Sequence, residues 1–154
     1  MTVALGKKIP KLKGTLQDGG TLSLEELRGQ HVVIYFYPKD HTPGCTREAQ
    51  DFRDLYAKFR KQRCEILGVS RDSAVSHGKF RQKHELEFPL VADVDETWCQ
   101  AFGVIGAKVL YGKHYVGVVR STFLIDPDGV LIAEWRGVKV PGHAAAVFDR
   151  LTQA

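Results

Sequence analysis

At 154 residues, with 44% hydrophobic and 26% charged side chains, the chain has the balance of one globular domain over 1–154 with a single sizeable core. No apolar run nears the roughly 20 residues that cross a bilayer, and Met1–Lys8 lacks the apolar stretch of a secretory signal, so no membrane partner and a cytoplasmic location are expected. The net charge of +4 is dispersed apart from Lys7–Lys13 and Lys58–Arg63, and the second run falls where a helix ends and cations offset its dipole, so no nucleic-acid partner is expected.

Ile9–Leu12, Gly14–Leu16 and Thr21–Leu24 read as short extended segments, the last two joined through Gln17-Asp18-Gly19-Gly20 as a hairpin. Ser23–Leu27 before Gly29 suggests a capped helical turn. His31–Tyr37 is a β-branched and aromatic run suited to a strand covered on both faces, ended by Pro38. From Cys45 the period changes: Cys45, Ala49, Phe52, Tyr56 and Phe59 mark the apolar stripe of a helix running to about Arg63. Cys64–Ser70 is a second buried strand, which requires a βαβ crossover. A charged helix over Ser73–Leu86 follows, with Val75, Phe80 and Leu86 as its apolar residues. Phe88–Ala92 is a short strand whose proline places it at an edge or at the strand's start. A short helix over Glu96–Phe102 ends at Gly103, and Tyr115–Ile125 and Val130–Trp135 form extended segments around the turn Asp126–Gly129. Ala144–Leu151 is the last helix. Parallel units followed by an antiparallel hairpin predict a three-layer α/β fold.

The chemistry concentrates where the first long strand meets its helix. Thr42-Pro43 supplies an N-cap and a proline at the first helical position, which sets Cys45 in the first turn. The free N–H groups there carry partial positive charge that stabilises a thiolate, the nucleophilic form of cysteine. Ionisation alone gains only roughly thirtyfold, about 2 kcal/mol, over a free thiol at neutral pH. Further rate must come from donors aimed at a departing group. The candidates are the N–H groups of Gly44 and Cys45, the Thr42 hydroxyl, and Arg120, which precedes the apolar run Ser121–Ile125. Cys45 read alone is as well a small buried hydrophobe. The six histidines lack ligand spacing, so neither a metal nor a cofactor is expected.

Pro38-x-x-x-Thr42-x-x-Cys45 resembles the active-site motif of the peroxiredoxins. Tyr35–Lys39 with Thr42–Ala49 is similar to the bacterioferritin-comigratory-protein group, also called peroxiredoxin Q, and Leu67–Ser70, Phe88–Leu90, Phe102–Val104 and Arg120–Asp126 extend the likeness over nearly the whole chain. The resemblance implies a thioredoxin-like fold with an N-terminal extension. It also implies a thiol peroxidase for hydrogen peroxide and organic hydroperoxides, with Cys45, Thr42 and Arg120 catalytic and Pro38 and Gly44 lining the substrate pocket. The sulfenic acid formed on Cys45 would then be reduced by thioredoxin, glutathione or a glutaredoxin.

One departure matters: many members of this group carry a second cysteine where this chain has Gln50, and the Ser73–Leu86 helix holds none. Three cysteines with no paired spacing make no disulfide framework. Cys64 falls at the far end of the Cys45 helix, roughly 25 Å away at 1.5 Å per residue. A one-cysteine mechanism is therefore expected, and the resemblance to a group whose members are often monomeric, with no apolar interface stripe in the sequence, implies a monomer. The alternatives are resolution by Cys99, and a peroxide sensor or interaction protein without turnover.

Overall fold

A computed structural model describes residues 2–154. The first hairpin is β1 (Lys13–Leu16) and β2 (Thr21–Ser23), turning where Asp18 Oδ1 accepts from Gly20 N at 2.8 Å. A 3-10 turn, Leu24–Leu27, follows with a capping box between Ser23 and Glu26. Then come β3 (His31–Phe36), α1 (Pro43–Lys61), β4 (Cys64–Ser70), α2 (Ala74–Lys83), β5 (Leu90–Ala92) and α3 (Thr97–Phe102). The chain ends with β6 (Ile105–Leu110), β7 (Lys113–Val118), β8 (Ser121–Ile125), β9 (Leu131–Arg136) and α4 (His143–Thr152).

Seven strands form one mixed sheet in the order β2-β1-β5-β4-β3-β8-β9. β3, β4 and β5 are parallel, and β1, β8 and β9 add antiparallel partners. Alternation along β3 divides two cores. Val32, Ile34 and Phe36 pack with Trp98, Cys99 and Phe102 of α3, whereas Val33, Tyr35 and Tyr37 pack with Phe52 of α1, Phe80 of α2 and Val147 of α4. The expected three layers are thus present: α1, α2 and α4 on one face of the sheet, α3 and the N-terminal segment on the other.

Of the two places open to Pro89 the structure takes the second: β5 is internal, between β1 and β4, and the proline sits just before its first ladder position. Two other expectations need correction. In α2 the inward face is His77 and Phe80, while Val75 is 69% exposed. The segment from Tyr115 to Ile125 belongs to two sheets. β7 ends at Val118 and pairs with β6 in a separate hairpin, which turns at Tyr111 (φ 51°) and Gly112 (φ 76°). The neck of that hairpin is closed by Val119 N donating to Val104 O at 2.7 Å, and this delivers Arg120 to the start of β8.

Candidate active site

β3 leads straight into the site. Tyr37 N still donates to Val69 O at 3.1 Å, and Pro38 then breaks the ladder. The loop Pro38–Thr42 turns back through His41 in the left-handed region (φ 64°). Thr42 takes the N-cap backbone conformation and Pro43 opens α1, which makes Gly44 and Cys45 its second and third residues. First-turn N–H groups have no partner within a helix. The Thr42 side chain does not cap them: its hydroxyl donates to Lys39 O at 2.8 Å. That proton is committed, so the threonine oxygen offers lone pairs where donation was expected.

Cys45 is 2% exposed and starts the buried stripe of α1. Arg120 reaches it from β8: Nη2 lies 3.4 Å from Cys45 Sγ, and Nη1 donates to Glu48 Oε1 at 2.6 Å. One guanidinium fork therefore serves the sulfur and a carboxylate one helical turn further on. Burial works against the charge of Arg120, but Glu48 and Cys45 outweigh it and raise its pKa. Gly44 leaves room for the approach: a Cβ there would stand 3.3 Å from Arg120 Nη2, and the guanidinium would have to give by a few tenths of an ångström. Pro38 is partly buried at the end of β3. Sequence and structure thus bring Cys45, Gly44 and Arg120 together, with Thr42 and Pro38 on the loop that leads into them.

Glu48 was missed at the sequence level. It is 1% exposed, its second oxygen has no partner among the described residues, and burial lifts its pKa to about 7 against the pull of Arg120. The available signal was its position three residues after Cys45, on the same helix face. His143 was missed too. Its Nε2 lies 2.8 Å from Thr122 Oγ1, and burial, helped by the charge of Arg120, depresses its pKa to about 4. Arg47 and Lys39, nearer to Cys45 in the sequence, are exposed, with Arg47 paired to Asp51.

The other thiols are remote in character. Cys64 is fully buried at the start of β4, and burial pushes its pKa up to about 12. Cys99 is fully buried in α3, raised first by burial and then by Asp93, whose carboxylate takes the Trp98 and Cys99 N–H groups. No disulfide joins the three cysteines. Asp40, Asp72 and His77 form a cluster with ligand atoms within 4.8 Å of one another, but those atoms hydrogen-bond among themselves and to Tyr37, Ser70 and Ser76. No helix among the described residues is long and apolar enough to cross a membrane.

Comparison with known proteins agrees with this geometry. The family model described as AhpC/TSA matches residues 5–134. Peroxiredoxin Bcp of Bacillus subtilis is 48% identical over 151 residues, covering 98% of this chain and 96% of that protein. Peroxiredoxin Bcp of Xanthomonas campestris is 51% identical over 137 residues, covering 89% and 86%. A cysteine-to-serine variant of Xylella fastidiosa PrxQ superposes with a TM-score of 0.94 at 39% identity, covering 99% of this chain and 98% of that one. The bacterioferritin comigratory protein of Xanthomonas campestris, solved in work on its alkyl peroxide reduction, gives a TM-score of 0.88 at 49% identity over 92% and 90% of the two chains. The mixed sheet with flanking helices is therefore the thioredoxin-like fold of these proteins, and the chain belongs to the peroxiredoxins, in the bacterioferritin-comigratory-protein or peroxiredoxin Q group.

Proposed function

We propose that this chain is a single-domain, monomeric, cytoplasmic thiol peroxidase that reduces hydrogen peroxide and organic hydroperoxides through Cys45 alone. The observation that carries the reading is the Arg120 fork, with one arm at 3.4 Å from Cys45 Sγ and the other at 2.6 Å from buried Glu48. The Cys45 thiolate attacks the terminal peroxide oxygen. An S–O bond forms as the O–O bond breaks, the sulfur gives up two electrons, and water or an alcohol leaves after taking a proton. Gly44 and Cys45 N–H groups and Arg120 face the developing charge, and the Thr42 oxygen, its own proton spent on Lys39, accepts the peroxide O–H. A fixed guanidinium is suited to this because it needs no reorganisation as charge moves onto the leaving oxygen.

An external thiol (thioredoxin, glutathione or a glutaredoxin) then attacks the sulfenic sulfur, releases water and leaves a mixed disulfide that a second thiol opens. Resolution within the chain is disfavoured by Cys64 and Cys99, both buried and both with raised pKa values, which leaves them poor in attacking thiolate. Their free state also suits a reducing compartment. In the Cys64→Ser/Cys99→Ser double variant, one equivalent of hydrogen peroxide is expected to give a trappable sulfenic acid on Cys45. Sustained turnover should follow with thioredoxin or glutathione. Trapping without turnover, while the parent protein turns over, would make one of the removed cysteines a resolving thiol. If neither protein turns over, Cys45 is a sensor thiol.

A further inference from the structure

The loop that presents Thr42 and the start of α1 is fastened from beneath by a buried polar cluster the reaction does not use. The loop is held in a costly form, since His41 lies at φ 64° without being glycine. Asp40, one residue before it, turns inward and is 3% exposed. Its carboxylate accepts from Tyr37 Oη at 2.6 Å and from Ser76 Oγ at 2.8 Å, and lies 2.7 Å from His77 Nδ1. Its backbone N–H donates to Asp72 Oδ2 at 2.9 Å. The His77 ring is fully buried, and its Nε2 lies 2.9 Å from Val91 O in β5. A carbonyl only accepts, so Nε2 carries a hydrogen, and the 2.7 Å approach of Nδ1 to a carboxylate oxygen needs one more proton between the two residues. The cluster is thus satisfied by protons, and a cation would have to displace bonds already made.

We propose that Asp40 and His77 are positioning residues for the peroxidase reaction: together they latch the catalytic loop to α2 and, through Val91, to the central sheet. The consequence is specific to peroxide chemistry. Attack along the O–O axis requires the Thr42 oxygen, the first-turn N–H groups and the sulfur to be held in register, and a displacement of about 1 Å can cost on the order of 100-fold. Alkylation of the same sulfur by iodoacetamide has no such requirement. This inference rests on the peroxidase reading above.

The test uses Asp40→Asn and His77→Gln in the Cys64→Ser/Cys99→Ser background, measuring oxidation of Cys45 by hydrogen peroxide beside its alkylation by iodoacetamide. Peroxide oxidation is expected to slow roughly tenfold or more while alkylation changes less than about threefold. Should both variants fail to fold, Ser76→Ala, which removes one donor to Asp40 and leaves the buried pair, carries the same asymmetry at roughly threefold. A folded variant oxidised as fast as its parent overturns the latch alone. A parallel fall in both rates, tracking a lower melting temperature, reduces the cluster to a structural role and also overturns it. A parent protein that does not react with peroxide overturns the peroxidase reading, and the latch with it.

Discussion

Replacing Arg120 by lysine tests the site most directly, because it keeps the charge and removes the fork. The guanidinium now spends Nη1 on Glu48 at 2.6 Å and Nη2 on Cys45 at 3.4 Å, with its side chain 17% exposed against 1% for Glu48. A lysine has one ammonium and cannot span both acceptors in that geometry. The buried carboxylate is the stronger partner, so Nζ settles on Glu48 and the sulfur loses its donor. Loss of one preorganised donor costs about 100- to 1000-fold, or about 3–4 kcal/mol of transition-state stabilisation. The retained positive charge nearby places Arg120→Lys at the lower end, near 100-fold. Stability should fall by no more than about 1 kcal/mol, since the buried carboxylate keeps a cation. Stopped-flow measurement of Cys45 oxidation by hydrogen peroxide, with thermal melts alongside, reads both quantities. Oxidation within about threefold of the parent would show that the fork adds nothing beyond its charge, and the argument from geometry would fail.

Gly44→Ala separates rate from stability. The new Cβ would press on Arg120 Nη2 at 3.3 Å, yet alanine favours the helix, so peroxide oxidation should slow by about threefold to tenfold with the melting temperature unchanged or higher; an unchanged rate would mean the guanidinium has room to spare. Glu48 and His143 give opposite pH dependences. Glu48, raised to about 7 when folded, binds more protons in the native state and so makes stability fall as pH rises from the unfolded value of 4.5 to about 7. His143, lowered to about 4, leaves the unfolded state with more protons, so its contribution is lost as pH falls below 6.5. Each is worth at most about 1.4 kcal/mol per pH unit, and over their common range they oppose each other. Urea midpoints at about pH 5 and about pH 6.5 should be similar in the parent, fall at the lower pH in Glu48→Gln, and rise at the lower pH in His143→Gln; parallel profiles in the three proteins would refute both assignments.

The parts of this molecule that were legible in the sequence are those where one local signal suffices. The apolar run of β3, the Thr42-Pro43 helix start and the Cys45–Phe59 stripe each fix an element without help from elsewhere, and together they set the thiol at a helix N-terminus. Arg120 was found because it abuts an apolar strand. The hairpin of β6 and β7 was not found. Its turn is Tyr111-Gly112, with a tyrosine where asparagine or aspartate usually marks a left-handed residue, and Val109 and Val116 are 61% and 67% exposed, so the hydrophobic alternation does not report burial. Glu48, Asp40 and His77 were hidden for another reason. Each stands among charged or polar neighbours and reads as solvated; only the approach of Arg120 across the sheet, and of α2 across the loop, makes them interior. Partners 72 and 37 residues apart in the chain leave no local trace.

The closed neck between Val104 and Val119 divides the β6–β7 excursion into two zones with different freedoms. Near the neck, Ile105 and Val118 belong to the core beneath Phe102, so that end is tied to the packing on which the sheet depends. Beyond the Ala107–Val116 rung the chain runs out into solvent, and Tyr111 at the tip is 95% exposed. Length added or removed out there need not reach Arg120, because the hydrogen bond at residue 119 sets where β8 begins. The tip is therefore the place on this scaffold to graft a tag, a fluorophore or a recognition peptide while keeping the reactive end as it is.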